Sequence, residues 1–94
     1  MEKLEKKMGK KIKLELYYGL ICPFCKVLRK MLKKIILENP DRFYLKEILV
    51  SSPVGMIKSF KHGIHAVPTL LIDGEIIFRS LPDEEDLKRK LNLI

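Results

Sequence analysis

KIKLELYYGLICPFCKVLRKMLKKII, residues 11–36, decides how this chain folds. In its first part Ile12, Leu14, Leu16 and Tyr18 alternate with Lys11, Lys13, Glu15 and Tyr17. That period of two predicts a half-buried strand over 11–18. In its last part Val27/Leu28, Met31/Leu32 and Ile35/Ile36 recur every fourth residue, with Lys26, Arg29, Lys30, Lys33 and Lys34 between them. This is the pattern of an amphipathic helix. Where the two periods meet stands Cys22-Pro23-Phe24-Cys25, which holds both cysteines of the chain.

A cysteine at that junction has particular chemistry. The first amides of a helix have no internal acceptor, and the positive end of the dipole favours an anion. A thiolate is such an anion. Free cysteine titrates near pH ~8.5, and a helix N-terminus or a Cys-x-x-Cys arrangement lowers that by one to several units. Cys22, at the exposed start, is therefore the expected nucleophile. Cys25 follows one turn later on the same face, more shielded, where a resolving thiol belongs. Pro23 suits the first turn, since it fixes φ and gives up an amide that has no partner there.

Working outward, the helix stops at Asn39-Pro40, because proline cannot continue it and biases the residue before it away from helical geometry. Phe43, Leu45, Ile48, Leu49 and Val50 make a second strand, expected parallel to the first. Ser52 reads as an N-cap with Pro53 in the first turn, Val54, Ile57 and Phe60 as the apolar side, and Gly63 as the stop. Thr69–Ile72, Asp73-Gly74 and Glu75–Arg79 form a hairpin with a favoured two-residue turn. Asp83 is the expected N-cap of a last helix whose apolar side is Leu87 and Leu91. The order is β-α-β-α-β-β-α, an α/β arrangement with a right-handed crossover between the parallel strands. Residues 1–10 are a charged N-terminal extension and residues 11–94 the domain.

Bulk properties narrow the function classes. Ninety-four residues make one domain, and a hydrophobic content of 47% excludes a disordered chain. No apolar run approaches the ~20 residues of a membrane span, and Met1–Lys7 lacks the apolar core of a secretion signal. A cytoplasmic protein without membrane partners is expected. In that compartment paired cysteines are catalytic or metal-binding rather than structural. The net charge of +7 raises nucleic acid as a partner. It is spread over the first thirteen residues and the helix at 26–34, without aromatic interleaving or a nucleic-acid motif, so a solvated lysine-rich surface is the reading.

Taken together, Cys22-Pro23-Phe24-Cys25 after the first strand, Gly63-Ile64-His65-Ala66-Val67-Pro68-Thr69 before the third, the Asp73-Gly74 hairpin and the closing helix resemble the thioredoxin/glutaredoxin superfamily. The resemblance covers residues 11–94 and is nearest to the small archaeal thioredoxin/glutaredoxin-like proteins. It implies a thioredoxin-like fold, a four-stranded mixed sheet flanked by three helices. It implies a dithiol–disulfide oxidoreductase acting on protein disulfides and recharged by an upstream reductase, with no cofactor beyond a reversible Cys22–Cys25 disulfide, and a monomer. In the family the proline matching Pro68 has a cis peptide bond and faces the dithiol. The backbone of the residue matching Val67 pairs with the substrate. Pro23, Phe24, Val67 and Pro68 are thus the expected substrate-binding residues.

Two departures bear on the subtype. Thioredoxins carry Gly-Pro between the cysteines, a tryptophan before the first and a buried aspartate six residues before it; here these positions are Pro23-Phe24, Ile21 and Leu16. Glutaredoxins carry Cys-Pro-aromatic-Cys, as here. They hold glutathione with a cation three residues before the first cysteine and a Gly-Gly/Asp pattern after the hairpin, where this chain has Gly19 and Phe78–Pro82. A glutathione-dependent glutaredoxin is the alternative function, lacking its clamp. A metal-binding Cys-x-x-Cys protein, with His62 and His65 as further ligands, is a third reading. The separation of Cys25 from His62 far exceeds that of a zinc finger and argues against it.

Overall fold

The computed structural model describes residues 11–94; the extension at 1–10 lies outside the described residues. In chain order the elements are β1 (Ile12–Tyr18), α1 (Pro23–Glu38), β2 (Phe43–Leu49), α2 (Pro53–His62), β3 (Thr69–Ile72), β4 (Glu75–Phe78) and α3 (Glu84–Lys90). The four strands form one sheet in the order β2-β1-β3-β4. β1 runs parallel to β2 and antiparallel to β3, and β3 runs antiparallel to β4. This is the expected α/β architecture, a mixed sheet with three helices.

The expected half-buried β1 is corrected. Leu14, Glu15, Leu16 and Tyr17 are all buried, and Glu15 retains only 5% of its surface. The cause is position: β1 is an interior strand, covered on both faces. Leu14 and Leu16 join Leu28, Leu32 and Ile35 of α1 and Leu87 and Leu91 of α3 in the main core. Tyr17, alternating to the other face, packs with Ile48, Ile64 and Leu71. The alternation is present in this strand, but it marks one dry face and does not report that the other face is covered as well.

α2 departs further from its expected face. Val54, Ile57 and Phe60 are exposed, Phe60 at 90%, and the residue of this helix that is buried is Gly55. A Cβ on Gly55 would stand 1.8 Å from the carbonyl oxygen of Leu49. The helix therefore approaches the end of β2 through its backbone, and its apolar side chains turn outward. Its ends are as expected: the Ser52 hydroxyl accepts from the Gly55 amide at 2.9 Å, and Gly63 closes it in the left-handed region at φ 66°. Asp83 stands at the N-cap of α3 without a side-chain cap bond, so Glu84, Glu85 and Asp86 serve that helix through charge at its positive end.

The hairpin turns at Asp73 (φ 49°) and Gly74 (φ 87°), both left-handed as a type I′ turn requires. Asp73 Oδ1 also accepts from the Lys13 amide at 2.9 Å, and the Asp73 amide donates to the Lys13 carbonyl at 2.8 Å. The turn is thereby fastened to the start of β1.

Candidate active site

Where β1 ends, Gly19, Leu20 and Ile21 lead to Cys22, whose extended backbone (φ −151°, ψ 96°) makes it the N-cap of α1. Its Sγ accepts the Cys25 amide at 3.1 Å, and its carbonyl accepts the Lys26 amide at 3.3 Å. Pro23 fills the first turn, where an amide would have had no acceptor. Cys22 and Cys25 are joined in a disulfide with their Cα atoms 5.2 Å apart.

Both cysteines are buried, Cys22 at 7% and Cys25 at 3%. The expectation of an exposed first cysteine is corrected, because a sulfur that caps its own helix folds back over the turn it caps. Exposure lies instead in the rim: Leu20, Phe24 and Ile21 face solvent, Ile21 at 98%.

The Val67–Pro68 peptide bond is cis. Its loop is held by the Thr69 hydroxyl, which donates to the Ala66 carbonyl at 2.7 Å, and by Arg79, which donates to the Gly63 carbonyl at 3.2 Å. Val67 comes close to the dithiol at one point. A Cβ built on Gly19 would meet Val67 Cγ2 at 3.4 Å and Cys22 Cβ at 3.9 Å, so Gly19 sits between them. Chain segments distant in sequence, 19–25 and 66–69, thus converge on the same end of the sheet.

No carboxylate lies beneath the sulfurs on β1. Leu16 is fully buried in the main core, and its neighbour Glu15 points to the opposite face beside Tyr17. A cavity of about 270 Å³ adjoins Cys25, lined by Tyr18, Gly19, Leu20, Lys26 and Arg29. Arg29 lies 4.7 Å over the Tyr18 ring and is ion-paired with Glu47 on β2. This Tyr18–Arg29–Glu47 arrangement was not legible in the sequence, where Arg29 is one cation among several on the helix. A second cavity, of about 540 Å³, opens on the Val67 side and is lined by residues that include Met56, Ser59, Phe60 and His65.

The two histidines go separate ways. His65 lines that second cavity, whereas His62 ends α2 with its ring edge-on to Tyr17, centroids 6.3 Å apart. Among the described residues no group of three or more His, Cys, Asp and Glu side chains is gathered to hold a metal ion.

A capped, disulfide-bonded Cys-x-x-Cys at the same end of the sheet as a cis-proline loop is matched by known proteins. The model of the thioredoxin domain family matches residues 10–92. The chain belongs to the thioredoxin family. It is 32% identical over 78 residues to a thioredoxin of Methanocaldococcus jannaschii, covering 82% of this chain and 88% of that one. A probable thioredoxin of Archaeoglobus fulgidus is 26% identical, covering 83% of this chain and 84% of its own. Among solved structures, Fasciola hepatica thioredoxin superposes with a TM-score of 0.74 at 18% identity, covering 97% of this chain and 88% of that one. A point-mutant thioredoxin of Halobacterium salinarum gives 0.73 at 24%, covering 98% and 82%. These two likenesses speak for the fold. Family and Cys-x-x-Cys disulfide together make this thioredoxin-family chain a dithiol–disulfide oxidoreductase.

Proposed function

We propose that the reduced protein uses Cys22 as the nucleophile and Cys25 as the resolving thiol against disulfides of partner proteins. The Cys22 thiolate attacks one sulfur of the partner disulfide, that S–S bond breaks, and the partner's other sulfur leaves as a thiolate. A mixed disulfide joins Cys22 to the partner. The Cys25 thiolate then attacks Cys22 Sγ, expelling the partner's second thiolate and forming the Cys22–Cys25 disulfide. Two electrons pass from the protein to the partner, the Cys25 proton goes to solvent, and the released thiolates take up protons from water. An upstream reductase returns the pair to the dithiol.

The observation that carries this reading is the 3.1 Å contact from the Cys25 amide to Cys22 Sγ. A hydrogen bond to the charged form, at the positive end of a sixteen-residue helix, favours thiolate on Cys22 in the reduced state. Lys26 adds to it, weakly, because an exposed charge is screened. Val67, beside Gly19 and Cys22, and the cis Pro68 form the edge along which an extended segment of the partner docks. Phe24 and Pro23 make the opposite rim. Protein disulfides are favoured over glutathione, since position 19 carries no cation. The setting is the cytoplasm, and the protein acts as a monomer.

Reduction of insulin disulfides tests the assignment. Cys22→Ser is expected to abolish turnover, and Cys25→Ser to accumulate a mixed disulfide that denaturing electrophoresis resolves. Full turnover by the Cys22→Ser protein refutes the assignment.

A further inference from the structure

The redox reading leaves open which disulfides are preferred, and the charge around Cys25 bears on it. The cavity beside Cys25 is walled by Lys26 and Arg29. From Lys26 the exposed lysines Lys30 and Lys33 continue along one line of α1, at spacings of four and three residues. Among the described residues none of these three lysines pairs with a carboxylate, whereas Arg29 pairs with Glu47 and Lys34 with Glu84. The result is a cationic seat that begins at the dithiol and runs roughly 10 Å down the helix at 1.5 Å per residue.

We infer that this protein selects disulfides whose flanking residues are acidic, one carboxylate seating in the cavity lined by Lys26 and Arg29 and others along Lys30 and Lys33. The inference rests on the redox reading above and names its substrate class. The dimensions agree. An extended segment advances about 3.3 Å per residue, so carboxylates within about three residues of the partner's cysteine fall along the stripe. The cavity lies against Cys25 and shares Gly19 with the Val67 edge, so a partner docked at Val67 can place its flanking side chains there without leaving its backbone contacts. Glu47 is already held by Arg29, and Lys26, Lys30 and Lys33, without a carboxylate partner among the described residues, are open to a ligand's charge. Uniform lysine on a solvated helix would not require the partners to differ. Selection between acidic and basic flanks is what this arrangement adds.

The experiment measures second-order rate constants for reduced protein against three disulfide peptides of equal length. Their cysteines are flanked by Asp and Glu, by Ser, or by Lys. At about 20 mM NaCl the acidic peptide is expected to react about tenfold faster than the lysine peptide, with the serine peptide between them. At about 500 mM NaCl the ratio should fall below about twofold, because exposed charges are screened beyond a few ångströms. Lys30→Glu/Lys33→Glu should abolish or invert the ratio at low salt, and Lys30→Gln/Lys33→Gln should reduce it. Because the readout is a ratio between peptides on one protein sample, a general loss of folded material does not mimic it. Equal rates for all three peptides, or a ratio unchanged in the variants, overturn the inference and leave the redox reading standing. If no peptide is reduced, the redox reading fails and the inference with it.

Discussion

The Cys25 amide donates to Cys22 Sγ across 3.1 Å, so the sulfur that starts α1 is also the group that caps it. A neutral thiol accepts weakly; a thiolate accepts strongly and sits at the positive end of the helix. Reduced Cys22 should therefore titrate below a free thiol. The Cys25→Ser protein keeps the amide and leaves one thiol, so its thiolate absorbance against pH reads Cys22 alone. A midpoint at or above that of free cysteine would remove the basis for Cys22 as nucleophile.

Gly55, in the first turn of α2, is a helical glycine with a backbone reason. A Cβ there would lie 1.8 Å from the Leu49 carbonyl oxygen and 2.7 Å from its carbon, neither of which belongs to a movable side chain. Helix propensity alone would make Gly55→Ala stabilising by about 0.5–1 kcal/mol. Steric displacement of α2 from the end of β2 outweighs that, and a net loss of about 1–3 kcal/mol is expected. Denaturant unfolding of the variant decides the sign.

Tyr17 is buried with its hydroxyl unpartnered among the described residues. Burial, and secondarily the nearby Glu15 carboxylate, push its phenol above the ordinary value near 10. The folded state thus holds this proton where the unfolded chain releases it. The associated stability is complete below pH ~10 and is lost as pH rises toward the raised folded value. Denaturation midpoints taken from pH 8 upward should fall more steeply for the natural protein than for Tyr17→Phe. At neutral pH the phenylalanine variant should be as stable or more so, since it removes a buried hydroxyl without a partner. Parallel curves for the two proteins would show that Tyr17 is not buried as described.

Much of this was readable from residue order. Alternation and fourfold recurrence around Cys22 located β1 and α1, Ser52-Pro53 and Gly63 bounded α2, and Asp73-Gly74 placed the hairpin. Each is a local signal whose physics lies within a few residues. What escaped depends on tertiary neighbours. Whether β1 is dry on one face or two is decided by its place in the sheet, which periodicity does not encode. The outward turn of Val54, Ile57 and Phe60 follows from backbone contact between Gly55 and Leu49, and the one sequence trace of it is the glycine itself. The partnership of Arg29 with Tyr18 and Glu47 joins three elements and leaves no mark on any of them. At the site, the cysteines were legible as a pair and Cys25 as the shielded one, but the burial of Cys22 was not, because the cap geometry that covers it appears only when the turn is built.

Gly19 stands where a glutathione-dependent relative would carry a cation, and its geometry makes the difference testable. Its backbone does not occupy the left-handed region, and a Cβ would meet Val67 Cγ2 at 3.4 Å and Cys22 Cβ at 3.9 Å, ordinary contacts. Gly19→Lys should therefore fold with a stability change within about 1 kcal/mol, the scale of a glycine substitution at an unstrained position. A lysine rooted there starts between Val67 and Cys22 and brings its ammonium within reach of a carboxylate on a bound glutathionyl group. The rate toward a glutathionylated peptide should rise by a few fold at low salt, with the gain fading at high salt as an exposed pair is screened. The rate toward an uncharged peptide disulfide should move less, and the ratio of the two rates is the quantity to measure. An unchanged ratio in a well-folded variant would mean that the missing cation at position 19 does not set the proposed preference for protein disulfides.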